Sequence, residues 1–287
     1  MTAYHRPATV REAVGLLRKH DDLVVLAGGT DVYPARTARA GWGHAGQAPI
    51  LDISALDDLR GIEDRGDHWW IGALTTWTAI ATAPLPALFD GLKAAARDIG
   101  GVQIQNRGTI AGNCCTASPA GDGIPCLLVL DAEFEIAGGV EFRIPAAHFF
   151  TGYRQTALGR DELITGIRIP KQPGRSAFLK LGARRYLIIS IAMVAGVIDT
   201  NTAGVVQSAQ LAIGACSATA QRLPALEAAL HGRRLDPGLV SASHFDHLAP
   251  IDDIRASARY RHHAALELTR DLIAALAASL QREAAHV

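Results

Sequence analysis

The chain has 287 residues, of which 49% are hydrophobic, and its 28 basic side chains balance 28 acidic ones. That length supports a sizeable core and two or three subdivisions, and the charge balance excludes the basic excess of a nucleic-acid-binding or membrane-binding surface. The start, Met1-Thr2-Ala3-Tyr4-His5-Arg6-Pro7, lacks the basic-then-apolar order of a secretory signal, and no apolar run reaches the ~20 residues that span a bilayer, so a cytoplasmic soluble protein is expected.

Thr9-Val10-Arg11-Glu12 is a capping box, and Val10, Ala13, Val14 and Leu17 follow at helical spacing, which predicts an opening amphipathic helix. The apolar run Leu23-Val24-Val25-Leu26 predicts a buried strand, ended by the tight turn Ala27-Gly28-Gly29-Thr30-Asp31 ahead of Val32. Glycine tolerates positive φ there and lets a ligand approach the backbone, and a nest of free N–H groups suits a diphosphate; the same residues also read as a plain turn. A glycine-rich, mobile stretch at 40–46 precedes a second strand at 50–53. The order is α/β in style, yet no G-x-G-x-x-G occurs and a dinucleotide-type Rossmann site finds no support.

Beyond Gly61 the pattern turns α+β. Trp69-Trp70-Ile71-Gly72 is strand-like, Thr75-Thr76-Trp77-Thr78 starts a short helix, and Leu88, Leu92, Ala95 and Ile99 share one face of a helix beginning near Pro86. That helix leads to a second glycine turn, Thr109-Ile110-Ala111-Gly112-Asn113. Asp122 reads as the N-cap of a short helix carrying Pro125. Phe134 and Ile136 alternate toward Gly138-Gly139, with Val140, Phe142 and Ile144 returning as the second arm of a hairpin. A further strand, 163–169, stops at Pro170, and Lys171-Gln172-Pro173-Gly174 is the expected domain boundary. Past it come β-rich segments at 188–198 and 205–216, then a closing amphipathic helix through Leu266, Thr269, Ile273, Leu276 and Leu280.

Nucleophile and metal signatures are poor. Cys114, Cys115, Cys126 and Cys216 lack C-x-x-C spacing and read as reduced, mostly buried thiols; eleven histidines are scattered, and neither G-x-S-x-G nor H-E-x-x-H occurs.

Taken together, residues 25–32, 109–113 and Ala117-Ser118-Pro119-Ala120-Gly121-Asp122 resemble the FAD-contacting segments of the flavoprotein subunit of molybdenum hydroxylases, the group of xanthine and carbon monoxide dehydrogenases. Phe149-Phe150-Thr151-Gly152-Tyr153-Arg154, Asp161-Glu162-Leu163-Ile164 and Ile251-Asp252-Asp253-Ile254-Arg255-Ala256-Ser257 resemble later family segments in order. The resemblance implies an α+β fold: a two-lobed FAD domain of the PCMH (vanillyl-alcohol oxidase) type over 1–172, with lobes at about 1–58 and 59–172, then a small α+β domain over 173–287. It implies noncovalent FAD held by Val25, Leu26, Ala27, Gly28, Gly29, Thr30, Asp31 and Val32 on one side and by Thr109, Ile110, Ala111, Gly112 and Asn113 on the other. Both turns would offer backbone N–H donors, joined by the hydroxyls of Thr30 and Thr109. Ala111 stands where the family usually has glycine, so its φ must be negative or the backbone must stand off the cofactor.

By the same resemblance Ile99 and Ile164 pack on the cofactor, Asp122 accepts from its hydroxyls and Lys180 stabilises the reduced flavin; Tyr186, which follows Lys180 closely in Arg184-Arg185-Tyr186, is the aromatic candidate to cover the flavin face. From the residues alone, Ile99 is ordinary core, Asp122 an N-cap and Lys180 a solvated strand charge. The implied activity is that of an oxidoreductase subunit. Substrate is hydroxylated at a molybdopterin centre on one partner, electrons cross [2Fe–2S] clusters on another, and FAD passes them to NAD, oxygen or another acceptor, in a complex that can be a dimer of heterotrimers. A self-contained flavin oxidase and a non-catalytic binding protein are the alternatives.

Overall fold

The computed structural model describes residues 3–41 and 48–284; residues 42–46 of the expected mobile stretch lie outside the described residues. Strand β1 (Tyr4–His5) leads into helix α1 (Val10–Lys19), whose N-cap Thr9 accepts from the Glu12 N–H at 3.1 Å. Glu12 reaches back to the N–H of Ala8 at 2.8 Å, one residue earlier than a capping box requires. Strand β2 (Val24–Leu26), helix α2 (Val32–Gly41) and β3 (Ile50–Asp52) complete a parallel three-stranded sheet ordered β1-β3-β2. The loop 27–31 therefore lies at the carboxyl end of a parallel strand, the edge where open α/β sheets bind ligands.

The second unit is antiparallel. Strands β4 (Ile62–Asp64) and β5 (His68–Gly72) are followed by α3 (Trp77–Thr82), α4 (Asp90–Asp98), α5 (Val102–Gln105), α6 (Ile110–Thr116) and α7 (Gly123–Val129). Then come β6 (Glu133–Ala137), β7 (Phe142–Pro145), α8 (Ala146–Phe149), the small hairpin β8 (Phe150–Gly152) with β9 (Gln155–Thr156), and β10 (Leu163–Pro170). The five-stranded sheet is ordered β4-β5-β10-β6-β7, with Ile167 opposite both Ile71 and Phe134. Its core buries Trp77, Phe89, Leu92, Phe134 and Phe149 almost completely, each such side chain contributing about 1.5–3 kcal/mol.

Beyond residues 171–174 the chain changes sheet. Strands β11 (Arg175–Leu181), β12 (Ala192–Thr200), β13 (Val206–Gly214) and β14 (Gln221–Arg222) form an antiparallel sheet covered by α9 (Pro224–Leu230) and α10 (Ala258–Ala284). Thr269, Ile273 and Leu276 face that sheet, as their spacing requires.

Four sequence expectations are corrected. The second glycine segment is no turn: Thr109 is the N-cap of α6, accepting from Gly112 N–H at 3.2 Å, and Gly112 sits in helical backbone. Buried Ile110 and Cys114 supply the packing that overrides the turn propensity of glycine and asparagine. Asp122 makes no side-chain cap to α7, because its carboxylate is drawn to Lys180 and Ser190. The segment at 188–198 becomes strand only at Ala192, leaving Ile189 half exposed in a loop. The hairpin's return arm starts at Phe142, so Val140 stays in the turn, 74% exposed.

Candidate functional site

A cleft of ≈ 560 Å³ opens between the end of β2 and the segments carrying α6 and β10, within the ~300–1,000 Å³ usual for small-molecule sites. Its first wall is the loop after β2. Gly29 holds φ +78°, which turns the chain into the start of α2. Gly28 is pressed against the neighbouring loop, where a Cβ would sit 1.9 Å from the Arg107 carbonyl oxygen. Among the described residues the N–H groups of Gly28, Gly29, Thr30, Asp31 and Val32 have no acceptor, while Tyr33 N–H begins the helix by bonding Gly29 O at 3.2 Å. Consecutive free N–H groups running into a helix N-terminus form an anion-binding nest, with the helix dipole adding to it.

The second wall works differently. The N–H groups of Ile110 and Ala111 bond the Thr75 and Ala73 carbonyls, and those of Gly112 and Asn113 bond Thr109. The expectation of free backbone donors here is overturned, because a capped helix docked on residues 73–76 spends them. What this wall offers is side chains. Asn113 Oδ1 is buried without a partner and its residue lines the cleft. Thr116 donates to Asp31 Oδ2 at 2.5 Å, joining the start of α2 to the last turn of α6. Ala111 is helical, so the alanine is accommodated without positive φ.

Val25, Ile99, Leu163 and Ile164 supply an apolar floor, with Ile99 placed just past the end of α4. Of the residues expected at a site, Val25, Ala27, Gly28, Gly29, Thr30, Asp31, Val32, Ile99, Thr109, Ala111, Gly112, Asn113 and Ile164 line this one cleft. Leu26 and Ile110 point into the core instead. Asp122 and Lys180 lie outside the lining and pair with each other, Nζ to Oδ2 at 2.6 Å. Lys180 is thus buried rather than solvated, and burial pushes the Asp122 carboxyl up against the opposing pull of Lys180 and Ser190. Tyr186 is 61% exposed on the loop between β11 and β12, with the Arg185 guanidinium 5.2 Å from its ring.

Sequence reasoning missed Trp77, Ile104, Cys115 and Thr116, which also line the cleft. A helix over 110–116 would have exposed two of them, since Gly112, Cys115 and Thr116 then stand three or four residues apart on one face. The four thiols are free, and burial raises all of them, those of Cys115 and Cys216 to about 12. Cys115 is the exposed one.

The residues fit a dinucleotide with a diphosphate: a nest of unspent N–H groups, a glycine at positive φ that turns the nest into α2, an orphan amide oxygen and an apolar floor. Residues 1–172 match the family described as FAD binding domain in molybdopterin dehydrogenase, and residues 177–276 match the CO dehydrogenase flavoprotein C-terminal domain. The chain belongs to this FAD-binding family.

Its relatives are oxidoreductase subunits. The flavoprotein is 31% identical to the nicotine 6-hydroxylase medium subunit of Paenarthrobacter nicotinovorans, over 94% of this chain and 95% of that protein. It is 33% identical to the xanthine dehydrogenase FAD-binding subunit of Escherichia coli O157:H7, over 94% of each. In three dimensions it is similar to a chain of the carbon monoxide dehydrogenase of Hydrogenophaga pseudoflava, with a TM-score of 0.89, 30% identity and coverage of 96% and 97% of the two chains. Among the described residues no helix is long and apolar enough to cross a membrane.

Proposed function

We infer that this flavoprotein is the electron-transfer subunit of a heteromeric molybdenum hydroxylase. Electrons reach it from [2Fe–2S] clusters on an iron–sulfur subunit, after substrate oxidation on a molybdopterin subunit, and leave for NAD, oxygen or another acceptor. The observation that carries the reading is the run of unspent N–H groups at 28–32 facing a cleft in a chain that matches this family over both its halves. Bound FAD would supply the ability to take electrons singly and release them in pairs.

The chain's own residues bind and shield. The 28–32 nest takes the diphosphate, and the Thr109 hydroxyl and Asn113 amide address polar groups beside it. Ile99 and Ile164 pack on the cofactor and keep water from it. We assign Tyr186, on an exposed loop outside the cleft lining, to the flavin face. We assign residues 1–172 to the FAD domain, with lobes at about 1–58 and 59–172, and 173–287 to the C-terminal domain, because the chain leaves one sheet for another across 171–174. A cytoplasmic setting accords with four free thiols, and a dimer of heterotrimers is the proposed assembly.

The test is to reduce the purified flavoprotein chemically, follow its reoxidation by NAD and by oxygen, and offer purines and aldehydes to the oxidised form. Reoxidation without any substrate oxidation is expected. Flavin reduction by a purine or aldehyde, with no second polypeptide or metal present, would sink the electron-transfer reading in favour of a self-contained oxidase.

A further inference from the structure

Behind the cleft, and outside its lining, lies a continuous buried polar network that begins in the C-terminal domain. Arg261 on α10 is 3% exposed. Its Nη1 donates to the carbonyls of Ile191 at 2.5 Å and Ala215 at 3.1 Å, and its Nη2 to Asp253 Oδ1 at 2.7 Å. One planar fork thus joins the end of the β11–β12 loop, the end of β13 and the 251–257 loop, a task suited to guanidinium geometry. The residue before Ile191 is Ser190, 1% exposed, whose hydroxyl donates to Asp122 Oδ1 at 2.5 Å. Asp122 takes Lys180 on its other oxygen, and Lys180 Nζ donates onward to the Asp98 carbonyl at 3.2 Å. Asp98 closes α4, and the next residue, Ile99, is cleft wall, followed by Gly100 at φ +56°.

A second branch runs through Ala215. Its N–H donates to the Pro119 carbonyl at 2.8 Å, two residues beyond the left-handed Ala117 that ends α6. The C-terminal domain therefore grips the backs of both the Ile99 wall and the α6 wall. Arg261 Nε is buried without a partner, so the guanidinium is held by its two Nη groups alone, and removing one of their partners costs that geometry because an unpaired buried charge is costly.

We propose that Arg261 and Ser190 are positioning residues for FAD: they fix Asp122 and Lys180, and through the Asp98 carbonyl they set the Ile99 wall of the cleft. This rests on the cleft being the FAD site, as proposed above. Asp122 and Lys180 are thereby held in one arrangement beside the site, and neither Arg261 nor Ser190 needs to touch the cofactor.

The experiment titrates the cofactor-free full chain with FAD, by flavin fluorescence, for the parent, Ser190→Ala, Arg261→Met and the double variant, and measures the midpoint potential of the bound flavin. Each single variant is expected to raise the FAD Kd about tenfold and to move the potential in the same direction, the loss of about one charge-assisted hydrogen bond. The double variant is expected to be weaker than either single one but by less than the product of their effects, because both act through Asp122 while Arg261 also holds the α6 wall through Ala215. A folded Ser190→Ala chain with an FAD Kd within about twofold of the parent and an unmoved potential overturns the proposal; that variant decides alone should Arg261→Met fail to fold. Multiplying effects in the double variant also overturn it. Failure of the parent to bind FAD removes the cleft assignment itself, a result distinct from equal binding by parent and variants.

Discussion

Gly28 lies directly against the carbonyl of Arg107: a Cβ at position 28 would stand 1.9 Å from that oxygen and 2.6 Å from its carbon, both rigid backbone. Its neighbour differs. A Cβ on Gly29 would meet side chains, the Tyr33 ring at 2.8 Å and Leu26 Cδ1 at 3.4 Å, and Tyr33 is 54% exposed with solvent to move into. The two adjacent glycines therefore do different jobs, one closing the first loop onto residues 107–108 and the other turning the nest.

This separation predicts distinct phenotypes. Gly28→Ala should cost about 3 kcal/mol of stability by overpacking the loop contact, seen as a lowered Tm of the cofactor-free chain. Gly29→Val should cost about 1–3 kcal/mol for placing a branched side chain at positive φ, and should raise the FAD Kd at least about tenfold by crowding the nest. A folded Gly29→Val chain with parental FAD content would remove the diphosphate from residues 28–32.

How far the sequence carried this result depended on the range of the interactions. The first helix, the strand at 24–26, the loop after it and the long closing helix were legible because local spacing and caps decide them. The nest was legible because glycine chemistry is local. Helix α6 was not, since Gly112 and Asn113 favour turns and only the docking of Ile110 and Cys114 in the core reverses that preference. Nor could Asp122 be placed. Its partners Lys180 and Ser190 lie 58 and 68 residues away, and the sequence offered only the local role of an N-cap. The same holds for Arg261, whose acceptor at Ile191 is 70 residues distant.

FAD should be noncovalent. The first loop holds neither histidine nor cysteine, and the cysteine that lines the cleft is Cys115, an exposed residue. Acid precipitation of the holoprotein should release all the yellow colour. In the cofactor-free chain a maleimide should label Cys115 slowly at neutral pH and faster as the pH rises, because burial lifts its thiol to about 12, and saturating FAD should slow that labelling by about tenfold or more. Colour retained in the pellet, lost in Cys115→Ser, would establish a thioether link and revive the oxidase reading.

Acid stability should depend on the 251–257 loop. Burial opposes ionisation of Asp253, but the N–H groups of Arg255 and Ala256 and the guanidinium of Arg261 outweigh it and hold the carboxyl well below its ordinary range. Asp67 is likewise lowered to about 2, chiefly by His68 and then by Arg168. A carboxyl with a depressed folded pKa stabilises the fold fully above its unfolded value, near ~3.9, and the contribution fades as pH falls toward the folded value. Tm should therefore be nearly flat from pH 7 to about 5 and drop between about 5 and 2. Asp253→Asn should lower Tm at pH 7, leave Arg261 without its counter-charge, and flatten the acid limb so that the gap between variant and parent narrows steadily as pH falls from about 4 to 2. Curves that stay parallel from pH 7 to 2 would show that Asp253 carries no linked stability, and that Arg261 is held by its two carbonyl partners alone.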